Sequence, residues 1–429
     1  MRVRGPARLV AAASFLAAAA CASSDPAKTA ASRDAWYGAT MPSNAGGEVT
    51  RFAIDLNETS QGLAGRAHMG NEATYVLRNI QRTDTHLSFM VTASDAVTAF
   101  DATFSGERSG AGWAGTWANP KETRDLNLQP VSPPDEHGLQ MVALPDGRRM
   151  HLACLGEGSP TVLFDSGSGG SVKDWRLVHA EIAKTTRACA YDRAGLGLSD
   201  PGPAPRDAAA AARDMEATLK AANITGPVVV VGHSIGSFHV RQFANTHAKQ
   251  VVGMVLVDPS GDFQSDRFAA SAPHFAQIAN PETQIQSLQD CAARARRELM
   301  PHGSPAFTEC NGNEATRFET VASEIASMMT LSSPELARSR RSYGDMPLIV
   351  LTRGDFAKGM PPEATPEDIK AMQTTWRQTH EEMRALSTVG ERRDIAGSGH
   401  YVQMDQPQAV IAAVDDVVAA ARRRAFRSR

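Results

Sequence analysis

The sequence predicts an α/β fold, with a mostly parallel sheet covered by helices on both faces, preceded by a small antiparallel β-domain. Two observations support this prediction. Between residues 161 and 421, short apolar runs alternate with stretches of helical periodicity, a pattern typical of parallel strands joined by helices. Between residues 36 and 128, shorter stretches alternate apolar and polar residues and are separated by Asn, Gly, Asp and Ser, which favours antiparallel strands.

Composition excludes several classes of partner. The chain has 429 residues, enough for two or three domains, and a net charge of -3. It has no basic stripe interleaved with aromatic residues, so we expect no nucleic-acid partner. Its cysteines and histidines show no paired metal-ligand spacing, and we therefore expect no metal site.

The N-terminus has the features of an export signal, which we assign to residues 1–21. Three arginines precede an apolar run over 9–20, which is much shorter than the roughly 20 residues needed to span a bilayer. The small residues before Cys21 resemble a bacterial lipoprotein processing site, at which Cys21 would become the lipid-modified mature N-terminus. Ordinary cleavage near residue 20 or 22, which would leave a soluble secreted protein, is the alternative.

Export determines the expected location of the mature protein. Residues 22–34 are small and polar, and we interpret them as a tether to the folded part. We expect a periplasmic protein or a membrane-anchored lipoprotein, with secretion as the alternative, and membrane contact only through the lipid anchor. Four further cysteines would then mature in an oxidising compartment, and their even number permits two disulfides.

The small β-domain is assigned to residues 35–130, with order beginning near Trp36. Alternating stretches within it predict short strands. These stretches lie at 52–56, 87–91 and 100–104. None of its residues suggests catalysis, so we interpret it as a packing or substrate-presenting domain. A proline-rich linker at 129–134 separates it from a larger domain, which we assign to residues 136–429.

The larger domain begins with a hairpin around 144–147 and continues as alternating strands and helices. Predicted strands lie at 161–165, 186–191, 228–231, 253–257, 347–351 and 391–395. Predicted helices lie near 173–184, 208–222, 237–244 and 409–421. Residues from about 260 to 345 interrupt this alternation with helical segments that lack strands, and we interpret them as a cap. Within the cap, Met328 and Met329 suggest either an apolar pocket wall or buried packing.

A Gly-x-Ser-x-Gly motif follows the most strongly apolar strand. Four valines at 228–231 lead directly into the motif at 232–236, and the residues after it show helical periodicity. A strand that turns sharply into a helix forces the serine between them into a sparsely populated backbone conformation and raises its hydroxyl above the sheet edge. Chance occurrence is the alternative for so short a motif, but the strand and helix around it favour Ser234 as a nucleophile.

A serine hydroxyl needs a general base before it becomes an effective nucleophile. Of the 12 histidines, His400 is best placed, because it follows the last predicted strand in a glycine-containing loop that can bend back toward Ser234. His233 and His239 lie so close to the serine in sequence that neither can readily face its hydroxyl. We therefore predict His400 as the base, with a surface or structural histidine as the alternative.

Several ordered motifs run through the larger domain. They are Asp165-Ser166-Gly167-Ser168-Gly169-Gly170, Tyr191-Asp192-Arg193-Ala194-Gly195, the serine motif, Val257-Asp258-Pro259 and Ser398-Gly399-His400. With these motifs, the chain from about residue 139 onward resembles the α/β-hydrolase fold family. The resemblance implies a mostly parallel eight-stranded sheet with a helical cap, and a serine hydrolase that needs no cofactor. One departure is Ser166-Gly167, where many members carry His-Gly, and this change leaves the backbone donors intact.

The resemblance also implies roles for residues near the serine. The backbone amides of Ser168 and Ile235 would form the oxyanion hole, which stabilises the negative charge that develops on a carbonyl oxygen during attack. The acid of a Ser-His-Asp triad would be Asp258, at the end of the family's sixth strand, or Asp355, just after its seventh. Asp258 has the better register with its strand, although an aspartate there can also merely cap the turn. Both alternatives remain open at this point.

The resemblance further implies how the cysteines pair. In the family's strand order, the strands that carry Cys154 and Cys189 are neighbours, so we expect a disulfide between these two residues. Cys291 and Cys310 would then pair within the cap. Reduced, buried cysteines are the alternative.

These features together predict a serine hydrolase that cleaves a small-molecule carboxylic ester, or a related acyl substrate, through an acyl-enzyme. The same residues would also serve an amidase, a peptidase or a perhydrolase, because one scaffold hosts all of these reactions. A non-catalytic surface binding protein is an alternative of a different class, and the presence of both the serine and the histidine motifs counts against it. The cap sequence gives no specific signal for the substrate.

Overall fold

The computed structural model describes residues 34–40, 50–59, 62–69, 73–93, 100–120, 122–130, 138–297, 300, 304–310 and 315–427. The export signal assigned to 1–21, the lipidation site Cys21 and residues 22–33 of the tether lie outside these ranges. Within them, no helix is both long and apolar enough to cross a membrane. The same ranges contain no group of three or more His, Cys, Asp and Glu side chains placed to hold a metal ion.

The N-terminal part of the described chain is an antiparallel sheet in which each strand pairs with the next. Its strands are β1 (Asp34–Thr40), β2 (Thr50–Thr59), β3 (Gly62–Met69), β4 (Ala73–Arg82), β5 (His86–Ala93), β6 (Phe100–Ser109), β7 (Gly112–Asn119) and β8 (Glu122–Leu128). Tyr37 and Gln129 exchange backbone hydrogen bonds of 2.8 Å in both directions. The first strand therefore meets the chain just after the last one, and the sheet closes on itself.

Alternation of side chains along these strands produces an apolar interior. In β7, Trp113 and Trp117 are both buried on the same face. Phe89 and Phe104 are register partners in β5 and β6, and their rings stack with centroids 5.1 Å apart. The sequence predicted only β2, β5 and β6, because a strand such as β3 presents small residues on its inner face and shows no strong apolar pattern.

The larger part of the chain is built on a second eight-stranded sheet. Its strands are β9 (Leu139–Ala143), β10 (Arg149–Leu155), β11 (Thr161–Asp165), β12 (Ala188–Tyr191), β13 (Val228–His233), β14 (Val251–Val257), β15 (Leu348–Arg353) and β16 (Glu391–Ile395). Their spatial order is β16-β15-β14-β13-β11-β12-β10-β9. The pairs β9–β10 and β10–β12 are antiparallel, and all the other pairs are parallel. The predicted fold class, a mostly parallel sheet after a small antiparallel domain, is confirmed.

Helices connect the strands of the second sheet, cover both of its faces and also form the cap. They are α1 (His179–Ile182), α2 (Ala208–Ala221), α3 (Gly236–Thr246), α4 (Gln264–Ser271), α5 (Pro273–Ile278), α6 (Pro281–Arg297), α7 (Pro305–Cys310), α8 (Ala315–Ser327), α9 (Ser333–Ser339), α10 (Pro366–Arg384), α11 (Val402–Asp405) and α12 (Pro407–Arg427). A 3-10 turn at Val172–Trp175 precedes α1, and a π-helical turn at Met328–Ser332 joins α8 to α9.

The valines of β13 show why this strand has no polar face. Val228 and Val230 belong to the apolar core that includes side chains of α2 and α3. Val229 and Val231 belong to the core on the other face, which includes side chains of α1 and α12. A parallel strand that is covered on both sides reads as a continuous apolar run, which is why this strand was the clearest one in the sequence.

The prediction of one continuous helix near 173–184 is wrong. The structure has the 3-10 turn and the four-residue α1 instead of one helix. Trp175 is fully buried, its indole N–H donates to Ser166 Oγ at 3.0 Å, and its ring centroid lies 4.8 Å from that of Phe164. These tertiary contacts hold the chain close to the end of β11 and override the helical periodicity.

The cap predicted at about 260–345 consists of α4 to α9 and the π-helical turn. A disulfide between Cys291 and Cys310 joins α6 to α7 in the cap. A second disulfide joins Cys154 to Cys189, which are register partners on the neighbouring strands β10 and β12. Both pairs are those that the resemblance implied.

The closed N-terminal sheet contacts the antiparallel edge of the second sheet. Tyr37 and Ala53 pack with Met141 of β9 and with Leu198 in one apolar cluster. The guanidinium carbon of Arg149 lies 5.2 Å from the centroid of the Tyr37 ring. This contact involves the antiparallel edge of the second sheet and not the carboxyl ends of its parallel strands, where the serine motif lies.

Candidate active site

Ser234 lies in the turn between β13 and α3 with a positive φ of 51°, a conformation that is uncommon for a residue other than glycine. The turn brings other backbone segments very close. A Cβ added to Gly236 would lie 2.6 Å from the carbonyl oxygen of Asp165, and one added to Gly232 would lie 2.8 Å from the carbonyl oxygen of Gly236. Glycine is therefore required on both sides of the serine, which explains the Gly-x-Ser-x-Gly spacing in physical terms.

His400 lies in the loop after β16 and contacts the serine directly. Its Nε2 is 3.0 Å from Ser234 Oγ, and its Nδ1 is 2.7 Å from Asp258 Oδ2. An ionised carboxylate can only accept, so Nδ1 carries the hydrogen and Nε2 is the free acceptor that faces the serine hydroxyl. This tautomer is the one that can remove a proton from Ser234.

Asp258 occupies the turn at the end of β14 and is fully buried, also with a positive φ of 40°. Its second oxygen, Oδ1, accepts hydrogen bonds from the backbone N–H of Arg353 at 3.0 Å and from Trp376 Nε1 at 2.8 Å. Burial raises the pKa of Asp258, but the hydrogen bond and charge of His400 and the charge of Arg353 outweigh it, and the pKa lies well below its usual value. The carboxylate is thus ionised and held in one orientation.

Asp355 does not contact His400, so the structure does not support this alternative for the acid. Its side chain is exposed, and its Oδ1 accepts hydrogen bonds from the backbone N–H groups of Ala357 and Lys358, each at 3.1 Å. An aspartate that closes its own turn in this way is a common loop feature. Between the two candidates, only Asp258 is brought to the histidine.

His233 supports His400 through the backbone. Its Nε2 donates to the carbonyl oxygen of His400 at 2.9 Å, and the two ring centroids are 4.8 Å apart. Burial and the nearby His400 lower the pKa of His233 to about 3, so its ring is neutral. As expected from the sequence, His233 does not face the serine hydroxyl, but its role in holding the histidine loop was not foreseen.

The two residues predicted to form an oxyanion hole line the cavity at the serine. Ser168 and Ile235 both line the same cavity as Ser234. In the described part of the chain, neither amide donates a hydrogen bond to another residue. Ile235 also precedes the first turn of α3, where the helix dipole favours negative charge. Both residues therefore line the cavity at the serine, and their backbone amides have no acceptor in the described part of the chain.

A buried ion cluster holds the loop that carries Ser168. Arg193 donates to the carbonyl oxygens of Ser166 and Gly167, at 2.6 and 2.8 Å. The same guanidinium lies 2.7 Å from Asp165 Oδ1 and 2.7 Å from Glu324 Oε1 in α8 of the cap. Because Arg193 binds the carbonyls of this loop, it fixes the direction of the peptide groups around Ser168.

Asp192, next to Arg193, has a structural set of contacts. Its Oδ2 lies 2.6 Å from His151 Nδ1, and its two oxygens accept hydrogen bonds from the backbone N–H groups of Val172 and Leu198. Neither Asp192 nor Arg193 lines the cavity at Ser234. Both residues therefore anchor loops and do not contact the serine.

A cavity of about 390 Å³ opens at Ser234 and His400. Most of its wall is apolar and comes from the cap and from α10 and the loop before it. These apolar residues include Phe268, Phe275, Ile325, Met328, Met360 and Met372. Ser260 also lines it, with its Oγ 3.4 Å from Ser234 Oγ. A more open cavity of about 740 Å³ lies elsewhere, lined partly by Asp345, Arg393 and Arg424, and it contains none of the predicted site residues.

The sequence did not indicate four residues of the site, namely His233 in its supporting role, Ser260, Arg353 and Trp376. The contact of each with the site depends on segments far away in the chain. Trp376 is the clearest case, because its partner Asp258 is 118 positions away. No pattern in a single sequence marks such a contact.

Comparisons with known proteins identify relatives of the larger domain. A model described as "Alpha/beta hydrolase family" matches residues 162–413. The chain is 26% identical over 267 residues to the uncharacterized protein YqjL of Bacillus subtilis (strain 168), covering 62% of this chain and 86% of that protein. It is 22% identical over 279 residues to an "AB hydrolase superfamily protein" of Gibberella zeae, covering 60% of this chain and 86% of that protein.

Solved structures also resemble this chain. One is a thermophilic esterase from Thermogutta terrifontis, with a TM-score of 0.45 and 19% sequence identity, which covers 66% of this chain and 98% of the esterase.

Proposed function

Because this chain belongs to the alpha/beta hydrolase family, we propose that it is a serine hydrolase that cleaves carboxylic esters through an acyl-enzyme, with Ser234, His400 and Asp258 as its triad. The observation that carries the proposal is the position of His400. Its ring bridges Ser234 Oγ at 3.0 Å and Asp258 Oδ2 at 2.7 Å. This is the geometry that general-base activation of a serine requires.

In the first step, Ser234 Oγ attacks the carbonyl carbon of the ester while His400 Nε2 takes the hydroxyl proton. The carbonyl oxygen gains negative charge, and the amides of Ser168 and Ile235 donate to it. Asp258 stays ionised and stabilises the imidazolium that forms on His400. The low pKa of Asp258 supports this role, because the carboxylate keeps its charge when the histidine gains a proton.

In the second step, the tetrahedral intermediate collapses, the carbon–oxygen bond to the alcohol breaks, and His400 gives its proton to the leaving oxygen. Water then attacks the acyl-enzyme with His400 again as the base, and the carboxylic acid leaves as Ser234 regains its proton. No cofactor takes part in either step. The mostly apolar cavity of about 390 Å³ suits a small substrate more than a long polymer.

Labelling with a fluorophosphonate tests the nucleophile. The wild-type protein is expected to label, and Ser234→Ala is expected not to, while Ser260→Ala should still label because Ser260 does not contact His400. Failure of the wild-type protein to label would exclude the serine hydrolase and favour the non-catalytic surface binding protein.

Substrate comparison then tests the bond that is cleaved. We expect hydrolysis of short aryl esters to exceed that of the matching aryl amides by a wide margin, and to exceed the formation of peracid from acetate and hydrogen peroxide. Faster cleavage of the amides would instead identify an amidase or peptidase, and a dominant peroxide reaction would identify a perhydrolase.

We also propose that the protein is exported and anchored through a lipid on Cys21, and is thus periplasmic or membrane-anchored. The basic and apolar N-terminal segment supports export. The two disulfides support an oxidising compartment. Metabolic labelling with a fatty-acid analogue is expected to mark the wild-type protein and not Cys21→Ser. Export without lipid incorporation would indicate ordinary cleavage and secretion instead.

A further inference from the structure

We propose that Arg353 binds a carboxylate on the substrate, so that the preferred esters carry a negative charge a few bonds from the scissile carbonyl group. This inference rests on the proposed ester hydrolase activity and specifies its substrate class. The position, the lack of a full partner and the orientation of Arg353 each support it.

The first observation is the position of Arg353, which is the last residue of β15. Arg353 is 8% exposed, and it lines the same cavity as Ser234 and His400. Among the described residues that line this cavity there is no aspartate or glutamate. In this described lining, a single buried guanidinium thus faces a mostly apolar wall beside the serine and the histidine.

Arg353 has only one anionic neighbour among the described residues. Its Nε lies 3.4 Å from Asp258 Oδ2, and this nitrogen has no hydrogen-bond acceptor in the described part of the chain. Asp258 cannot improve the pairing, because its Oδ2 is bound by His400 and its Oδ1 by a backbone amide and by Trp376. A buried guanidinium without hydrogen-bonded compensation is costly, and burial accordingly lowers the pKa of Arg353.

The orientation of the guanidinium is determined by two aromatic rings. Its central carbon lies 3.7 Å from the ring centroid of Phe356 and 5.1 Å from that of Trp376. Rings against a guanidinium stabilise it by cation–π contact and leave its N–H edge as the part available for binding. That edge matches a carboxylate, which can accept two parallel hydrogen bonds.

A role as a simple counter-ion for Asp258 does not explain this arrangement. During attack, His400 becomes positively charged, and Arg353 and His400 then share one carboxylate, Asp258. The nearby His380 does not change this balance, since burial lowers its pKa to about 4 and its neutral ring adds no charge. A substrate carboxylate on Arg353 would offset the excess positive charge at the step where it arises.

The test compares two matched substrate pairs. The first pair consists of the mono-(4-nitrophenyl) ester of glutaric acid and 4-nitrophenyl pentanoate, which place the charge in the acyl part. The second pair consists of the butyrate esters of 4-hydroxybenzoate and of methyl 4-hydroxybenzoate, which place it in the alcohol part. The readout is the ratio of kcat/KM for the charged over the neutral member of each pair, in the wild-type protein, Arg353→Met and Arg353→Lys.

We expect the wild-type protein to favour the charged member of one pair by on the order of tenfold or more, as for a hydrogen bond between charged groups. Arg353→Met should lose this preference, and Arg353→Lys should retain part of it. Arg377→Met is the control, because Arg377 is exposed and pairs with Asp394 outside the cavity; its ratios should equal those of the wild type. The substrate pair whose ratio falls in Arg353→Met identifies whether the acyl part or the alcohol part of the substrate carries the charge.

The ratio of kcat/KM values distinguishes binding of a substrate carboxylate by Arg353 from a purely structural role of this residue. Loss of a counter-ion for Asp258 would lower the rates on both members of a pair equally and leave the ratio unchanged, and that outcome would overturn the proposal. A wild-type preference for the neutral member of both pairs would overturn it as well. Absence of hydrolysis of every substrate together with no fluorophosphonate labelling would instead reject the ester hydrolase itself.

A second measurement does not depend on turnover. Boronic acids add to an activated serine, so inhibition by 3-carboxyphenylboronic acid can be compared with inhibition by phenylboronic acid. We expect the carboxylate to tighten binding in the wild-type protein and not in Arg353→Met. Equal effects of the carboxylate in both proteins would contradict the proposed contact.

Discussion

Asp258 Oδ2 lies 2.7 Å from His400 Nδ1, although the two residues are 142 positions apart in the chain. The contact forms because β14 and β16 both run parallel to β15, so that their carboxyl ends lie at the same edge of the sheet. The histidine reaches this edge from the loop after β16. This contact distinguishes Asp258 from Asp355, which the sequence left as alternative acids.

Asp258→Asn is expected to lower kcat/KM for an aryl ester by about 10⁴-fold, because an amide in place of the carboxylate favours the wrong tautomer of the histidine. Asp355→Asn should change it by less than about threefold, since Asp355 is exposed and closes only its own turn. Steady-state kinetics on both purified variants, with circular dichroism to verify folding, is the measurement. A large loss in Asp355→Asn and a small one in Asp258→Asn would assign the acid the other way.

Trp376→Phe is expected to lower kcat by about tenfold with little change in KM, because it removes one hydrogen bond that orients the carboxylate of Asp258. The ring volume is largely retained, so the cavity wall should survive. The control is Tyr343→Phe, which removes a buried hydrogen bond to Asn245 away from the cavity. If both variants lose activity to the same extent, the effect of Trp376 is one of general stability and not of orientation.

Glu324→Gln is expected to lower the free energy of unfolding by about 3 kcal/mol, because it leaves the charge of buried Arg193 incompletely paired. It should also lower kcat, since Arg193 holds the loop that carries Ser168. Glu319→Gln on the same helix is the matched control: its partner Arg296 is exposed, and the expected loss is at most about 1 kcal/mol. Chemical denaturation followed by fluorescence would compare the two, and equal losses would argue against a clamp at Arg193.

Stability is expected to fall as the pH is lowered from about 6.5, the ordinary pKa of histidine. Burial lowers the pKa of His233 to about 3 and that of His380 to about 4. Between these values and about 6.5, the unfolded chain binds protons that the folded protein does not, so the free energy of unfolding decreases with falling pH. The loss should level off once the pH is below the folded pKa values.

His380→Gln tests this dependence, because glutamine can still donate to the carbonyl oxygen of Pro259 and accept from Thr352, the two partners of the ring. Each buried histidine contributes a slope of about 1.4 kcal/mol per pH unit. Denaturant midpoints at pH 7, 6 and 5 should therefore fall less steeply in His380→Gln than in the wild type. The control His247→Gln, at a partly exposed histidine, should retain the wild-type slope, and a steeper fall in His380→Gln would contradict the assignment.

Much of the fold was predictable because its signals are local. The four valines of β13 are buried on both faces, and the serine motif requires glycines where two backbone segments nearly touch. Both features depend on a short segment that folds in one way. The helix expected near 173–184 failed for the opposite reason, since the contact of Trp175 with Ser166 overrides its periodicity.

The closed N-terminal sheet was predicted only in part. Its more apolar strands stood out, while β3 presents Gly65 and Ala67 to the interior and has no strong alternation. Such a strand is stable because its neighbours supply the large side chains. Its position therefore depends on pairing and not on its own composition.

The sequence by itself indicated the fold class and singled out Ser234 and His400, because each depends on a short signal or on a position in an ordered set of motifs, whereas the pairing of the four cysteines followed from the family resemblance. Only the tertiary structure placed Asp258, and not Asp355, against His400 and brought Trp376 and Arg353 to the same carboxylate. The physical reason is that a carboxylate's role depends on which donors already occupy its oxygens. Those donors come from strands and helices that meet only in the folded protein.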